Sequence, residues 1–227
     1  VNYFMRLVCF DYGLDMELEE NRVTVLTVEN AKFITEIIGS LKNQIMGEEG
    51  IFVLSDHNKI QRIDKKMNLI IDPFDVSIND RKIINKLYSR LGIIAPDYFQ
   101  EKEKITADII SLLDEIVLAS PFSNLIYNLD YDWTEMFKGF NIRFEETGEN
   151  LIEKLVEFIR IQASLLEIRV LCFVNLKSYL TQEELEELYK AAFYNKINLV
   201  LIESIEKNKL ENEQIYIIDK DRCLIVK

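Results

Sequence analysis

The sequence predicts an α/β fold, in which a head assembled from both ends of the chain carries an inserted all-helical module. Three observations predict it. Strand-like apolar runs occur near the two ends of the chain, whereas the stretch 79–139 carries helical apolar spacing. The runs 23–28 (VTVLTV) and 169–175 (RVLCFVN) are nearly continuous in apolar character, as parallel strands covered on both faces are. Each of them is followed by a helical pattern, which is the alternation of an α/β core. The expected division is a head of residues 1–78 and 140–227 and an inserted helical part of residues 79–139.

The elements follow in order. A strand pair is expected over 3–12 and 16–19, and strand 23–28 then enters a helix over 32–41 through the turn Glu29-Asn30-Ala31. Strand, tight turn and helix are the layout of a phosphate-binding loop. Such a loop is rich in glycine and ends in Lys-Ser/Thr, so that backbone N–H groups and a lysine surround the phosphates. This turn has no glycine, and it brings the carboxylate of Glu29, which suits a helix start and repels an anion. The head therefore reads as a degenerate P-loop-like core with no nucleotide expected. Strands follow at 51–54 and 67–71, then helices over 80–91, 101–119 and 122–138, with breaks at 92–97 and at Ser120-Pro121. Strand signals resume at 141–144, and 150–166 is a further amphipathic helix. The run 169–175 ends in Asn175, where a magnesium-binding strand of a P-loop enzyme would end in Asp; a neutral amide is a poor ligand for a hard cation. Thr181-Gln182-Glu183-Glu184 has the spacing of a capping box and opens a helix to about 195, with Leu185, Leu188, Ala192 and Phe193 on one face. A strand over 198–203 and a hairpin from 214–219 and 223–227 complete the head.

Composition narrows the class. With 227 residues, 48% hydrophobic and 29% charged, the chain is globular, and only seven Gly and three Pro imply long helices and few loops. No apolar run reaches the roughly 18 to 20 residues of a membrane span, and the first residues lack a basic stretch followed by an apolar one, so a soluble, cytoplasmic protein is expected. Cys9, Cys172 and Cys223 each lie in an apolar run and read as buried small hydrophobes. His57 is the single histidine, which excludes multi-histidine metal sites and leaves acid/base catalysis little to stand on; its place between Asp56 and Asn58 suits a hydrogen-bonding residue of a loop or strand end. The net charge of −12 argues against nucleic-acid binding over the whole surface, although a local patch can oppose a global sum.

The run Asp56-His57-Asn58-Lys59, then Pro73-Phe74-Asp75-Val76 before the helical part, then Phe173-Val174-Asn175 with Tyr179-Leu180-Thr181 and a Glu-rich helix, resembles the accessory spacer-acquisition protein of type II-A CRISPR systems. The resemblance covers nearly the whole chain and lies in the succession of elements. It implies a head with a helical leg, a homotetrameric ring around a positively lined channel, and binding of double-stranded DNA at linear ends without sequence preference. It also implies Ca²⁺ ions that hold the ring, no ATPase activity, and as partners the CRISPR integrase complex and the RNA-guided nuclease.

Two kinds of residue carry these expectations. The acidic cluster Asn128, Asp130, Asp132 and Glu135 offers oxygens at alternating positions if the backbone is extended, whereas a helix would align Asn128, Asp132 and Glu135 and turn Asp130 away. Either geometry needs waters, carbonyls or another subunit to complete a calcium shell, and without a turn glycine or a 12-residue loop it is not an EF-hand. A solvated helix face accounts for the same residues, as packing or an interface does for the neighbouring Tyr131 and Trp133. Cations gather at Lys59, Arg62, Lys65 and Lys66, and again at Arg81, Lys82, Lys86 and Arg90, with Lys177 beyond the strand end at the edge where P-loop folds place ligands. Each set is modest alone and equally describes a soluble surface, but repetition around a ring would multiply it, and a non-specific DNA holder needs only phosphate contacts. Two other readings stay open: an acidic protein–protein scaffold, and a divergent nucleotide hydrolase with Lys32 as its phosphate cation.

Overall fold

The computed structural model describes residues 5–128 and 132–227 and divides into two units, 1–78 with 146–227 and 79–145. The fold class expected from the sequence is the one observed, a mixed α/β protein with helical additions.

In the first unit, β1 (Met5–Cys9), β2 (Leu14–Leu18), β4 (Phe52–Asp56) and β5 (Lys59–Gln61) form a small antiparallel sheet in the order β2-β1-β4-β5. The expected 3–12 strand is cut short because Phe10–Tyr12 close a 3-10 turn that ends on Gly13 at φ 60°, a conformation glycine adopts without steric cost. The large sheet contains β3 (Val23–Val28), β6 (Met67–Ile70), β7 (Val170–Val174), β8 (Asn198–Glu203), β9 (Glu213–Ile218) and β10 (Leu224–Val226) in the order β10-β9-β3-β8-β7-β6. All its pairings are parallel except β10 on β9, the expected terminal hairpin.

Strand alternation fixes what covers each face. Leu26, Val28, Cys172, Val200, Ile202 and Ile218 share one core with Leu7, Leu14, Phe52 and Leu54 of the small sheet and with Ile37 and Leu41 of α1 (Ala31–Ile45). The opposite face, with Leu199, Leu201, Phe173 and Ile215 buried, is covered by α6 (Leu151–Ser164) and α7 (Gln182–Tyr194). α7 starts with the expected capping box, Thr181 and Glu184 satisfying each other's backbone N–H. The connection from β8 to β9 is unusual. It crosses over β3 in nine residues, 204–212, without a helix, where parallel crossovers ordinarily need a dozen or more.

The second unit contains α3 (Arg81–Ile94), α4 (Phe99–Ala119) and α5 (Trp133–Gly139), with a short core of Tyr88, Ala95 and Phe137. The sequence reading fails here twice. Of the helix expected over 122–138 the described residues contain only α5, and residues 122–128 have no regular structure. Ser120, extended at ψ 146°, and Pro121 end α4, and the next helix starts only where Asp132 caps it. The strand expected at 141–144 does not form, and no strand among the described residues pairs with it. Asn141 and Ile142 N–H instead donate to the Lys138 and Phe137 carbonyls at the end of α5, and Phe144 is held by an amide side chain: its N–H donates to Asn79 Oδ1, and Asn79 Nδ2 donates to its carbonyl.

Of the cysteines, Cys9 and Cys172 are buried as expected, and burial pushes the Cys172 thiol up to about 12, but Cys223 is exposed at the hairpin. No helix among the described residues is long and apolar enough to cross a membrane.

Candidate functional site

The site that an α/β core of this kind offers lies at the C-terminal edge of its parallel strands. At β3 the turn into α1 is closed by the chain itself. Asn30, extended at φ −104°, caps the helix by accepting from Lys32 N–H at 2.9 Å, so an amide that would face a phosphate is already bonded. Lys32 turns toward Glu36 at 4.0 Å. Arg222, from the β9–β10 hairpin, lies over the rings of Tyr12 at 4.5 Å and Phe33 at 5.7 Å and donates to the Asp11 carbonyl. Tyr12 in turn donates to Glu36 at 2.6 Å, and burial together with that carboxylate pushes its hydroxyl up to about 12.

Beyond β7 the backbone passes through Asn175 in the left-handed region, φ 53°, which asparagine tolerates better than most residues. Its Oδ1 accepts from Ser204 N–H at 3.0 Å and Ser204 Oγ at 2.9 Å. Asn175 is thus a turn residue that ties β7 to β8. Lys177 also departs from expectation. Its side chain is 4% exposed, and the ammonium bonds both oxygens of the fully buried Glu213 side chain, at 2.9 and 3.0 Å, and the Asn208 carbonyl at 2.8 Å. Glu213 completes its shell with Tyr189 Oη–H at 2.6 Å and Leu210 N–H at 2.9 Å. Lys177 therefore staples the crossover 204–212 over the sheet, and the expected phosphate contact is corrected: the cation is consumed inside the fold.

The other basic residues fall into two places. Lys59 is exposed on edge strand β5, Arg62 precedes the short helix α2 (Ile63–Lys66), and Lys65 and Lys66 end it. Arg62 holds Asp64 through two bonds of 3.0 and 2.7 Å, with Lys65 at 3.5 Å, so the Asp64 carboxyl is lowered from its usual range by Arg62 first. This group is accordingly less positive than its cations suggest. On α3, Arg81, Lys82 and Arg90 are exposed and Lys86 is half-buried, while Ile83 and Tyr88 are the buried residues of the helix. Lys82, Lys86 and Arg90 follow each other at i, i+4 and i+8 and form one stripe.

The acidic candidates are only partly brought together. Asp130 lies outside the described residues, and Asn128 belongs to the irregular segment. Asp132 and Glu135 form a capping box: Asp132 Oδ1 accepts from Glu135 N–H at 2.7 Å, and Glu135 Oε2 accepts from Asp132 N–H at 3.1 Å. They meet across a helix start rather than along a helix face, which corrects the i, i+4, i+7 alignment. Each keeps one carboxylate oxygen outside the box. Those two and the Asn128 amide are oxygen donors of the kind calcium takes, but fewer than its six to eight. Among the described residues no group of three or more His, Cys, Asp or Glu is gathered around one point.

Helix α4 buries none of its 21 residues. Lys102, Thr106, Ile110, Leu113 and Val117 are half-buried along one side, whereas Ile105, Ile109, Leu112 and Ile116 stand 45, 39, 56 and 57% exposed along another. Their spacing of four, three and four is that of the seam by which helices pack together.

Residues 44–222 match the sequence profile of the family described as CRISPR-associated protein (Cas_Csn2). The chain belongs to the Csn2 family. It is similar to the CRISPR-associated protein Csn2 of Streptococcus agalactiae, 24% identical over 217 residues that span 93% of this chain and 94% of the relative. It is similar also to that of Enterococcus faecalis, 23% identical over 214 residues, 92% and 93% of the two chains. Among solved structures it aligns with a bacterial Atm1-family ABC exporter with ATP bound at a TM-score of 0.40 and 10% identity, over 96% of this chain and 37% of that one. A putative ABC transporter ATP-binding protein from Pyrococcus furiosus gives 0.38 and 10% identity, over 89% and 88%. Likeness at that level carries no argument about ligands.

Within this Csn2-family chain the sequence reading passed over one residue at the sheet edge. The strand beside β3 is β8, not β7, so the side chain that ends the neighbouring strand is Glu203 and not Asn175. Glu203 is 1% exposed; Oε1 accepts from Lys177 N–H at 3.1 Å and Oε2 makes no hydrogen bond among the described residues. Burial raises its carboxyl above the usual range, the Lys177 backbone and charge opposing. A Glu at the end of an apolar strand was the available signal, but strand order was needed to read it.

Proposed function

We propose that the chain binds linear double-stranded DNA at its ends, without sequence preference, as a calcium-stabilised homotetrameric ring in CRISPR spacer acquisition. The reading gives it no catalytic step, a cytoplasmic location, and the CRISPR integrase complex and RNA-guided nuclease as partners. The observation that carries it is the exposed seam of α4. A helix of 21 residues is about 31 Å long, and four apolar side chains in seam spacing along it keep 39 to 57% of their surface exposed among the described residues. The same helix of another copy supplies a matching seam, and a closed arrangement of copies repeats every basic stripe around one axis. Arg81, Lys82, Lys86 and Arg90, with Lys59, Lys65 and Lys66, are then the phosphate contacts, Arg62 contributing less because Asp64 neutralises it. The outer oxygens of Asp132 and Glu135, with Asn128 and the residues of a neighbouring subunit, are the calcium donors. Support for a non-catalytic role comes from the turn at Asn30, whose side chain occupies an amide at the helix start, and from Arg222 held on aromatic faces beside it.

An acidic protein scaffold is the second reading, favoured by the net charge of −12 and by the removal of Lys177 from the surface. A mobility-shift titration of linear against covalently closed circular duplex of equal length separates the two, run with calcium and with chelator at two salt concentrations. The proposal expects calcium-dependent, salt-sensitive binding that prefers linear DNA. Equal failure on both DNAs in every condition rejects it and leaves the scaffold.

A further inference from the structure

Two aromatic rings stand in solvent at the C-terminal edge of β6 and β7, and neither the nucleotide-like turn nor the basic stripes account for them. Phe74 is 64% exposed and Tyr179 50% exposed, and their rings meet edge to face with centroids 5.2 Å apart. Ile71, 47% exposed, directly follows β6 on the way to Phe74. The backbones that carry these side chains are anchored. Phe74 sits in a 3-10 turn whose Pro73 is buried and whose start is capped by Asp72, the Phe74 N–H donating to Asp72 Oδ1 at 2.9 Å. Tyr179 follows a second 3-10 turn with Leu176 and Leu180 buried on either side and donates its N–H to the Leu176 carbonyl at 3.0 Å. Fixed backbones with exposed aromatic side chains have little entropy left to lose, and aromatic anchors are the side chains that dominate binding between proteins.

The surroundings say which partner fits. α6 packs against the turn of Phe74, and its first residues lie at this same edge because it runs opposite to the strand it precedes. The three segments that meet here, 71–78, 146–153 and 178–187, hold nine Asp or Glu and no Lys or Arg. Such a rim repels the phosphates of DNA. It also repels a second copy of itself across a two-fold axis, since an isologous contact would set acid against acid.

We infer that Phe74 and Tyr179 form the apolar centre of a docking surface for a different protein, one that offers an apolar side chain surrounded by Lys and Arg. Ile71 extends that centre, and Asp75 and Glu183 stand at its acidic rim. This surface does not rest on the DNA-binding proposal, and its failure is distinguishable from the failure of that proposal.

The test is to place p-benzoylphenylalanine at position 179 of the full chain in its own host and to sequence the photo-crosslinked segment. Position 194, where Tyr194 is 88% exposed, serves as control. The expected product is a single polypeptide, crosslinked through a segment with Lys or Arg flanking an apolar residue, and not obtained from the control position. With that polypeptide purified, Phe74→Ser and Tyr179→Ser each weaken binding about tenfold, about 1.4 kcal/mol. Asp75→Lys with Glu183→Lys weakens it most at low salt. All of these variants keep the thermal midpoint and the linear-DNA binding of the parent. A crosslink to DNA or to another copy of the chain overturns the inference, as does no crosslink above the control, binding indifferent to the substitutions, or a parallel loss of DNA binding.

Discussion

Lys177→Met isolates the buried staple of the β8–β9 crossover and puts a magnitude on it. Methionine matches the length of the lysine stem and removes only the ammonium. Glu213 then keeps two neutral donors, Tyr189 Oη–H and Leu210 N–H, but its charge sits at 0% exposure with no counter-ion, and the Asn208 carbonyl loses its donor. Breaking a buried pair by removing one partner costs about 3–5 kcal/mol, because the remaining charge has neither water nor a cation. That is a large part of a domain's net stability of about 5–15 kcal/mol. The double variant Lys177→Met with Glu213→Gln recovers more than half of the loss, since the amide oxygen in the place of Oε2 accepts from Leu210 N–H and the amide NH2 in the place of Oε1 donates to Tyr189 Oη, with no charge to desolvate. The assay is urea unfolding followed by far-UV circular dichroism, because the one tryptophan, Trp133, lies in the second unit and does not report on this sheet. Amide exchange over 204–212 rises in the single variant well before the sheet exchanges. A loss below about 1 kcal/mol for Lys177→Met, or a double variant no better than the single, refutes the view that the pair is desolvated and holds the crossover.

Three further outcomes are expected. Ile109→Glu with Ile116→Glu, on the exposed seam of α4, lowers the assembled mass in sedimentation while leaving monomer stability within about 0.5 kcal/mol; an unchanged mass rejects the seam as the contact. Asp132→Asn keeps the α5 cap, since asparagine caps as well as aspartate, yet shrinks the calcium-induced rise in thermal midpoint. Asp132→Ala also loses about 1 kcal/mol in chelator, and equal calcium shifts in all three proteins remove Asp132 from the ligand set. Glu203→Gln is stabilising at pH 8 and neutral near pH 4. The folded carboxyl is raised above its unfolded value, so the protonated form contributes stability at low pH that is lost as pH rises through the folded value. Glutamine keeps the acceptor for Lys177 N–H and escapes that loss, and a variant no more stable at pH 8 than at pH 4, relative to the parent, contradicts the burial argument.

Much of the head was legible locally. Strands 23–28 and 198–203 have the bounds their apolar runs suggest, and the Thr181 capping box starts α7 as its spacing requires, because periodicity and capping are written within a few residues of each other. The loss of the phosphate loop was also visible, since glycine and lysine at fixed offsets are a local requirement. The helix expected over 122–138 failed because apolar spacing in a polar segment does not say where a partner face is, and Ser120-Pro121 weighed more than the pattern. What only the tertiary structure decided was the fate of polar groups whose partners are distant in sequence. Lys177 looks like a surface cation until Glu213, 36 residues on, is brought beneath it, and Glu203 becomes the residue beside β3 only because β8, rather than β7, takes that place in the sheet. Burial of a charge is a property of neighbours, and strand order chooses the neighbours.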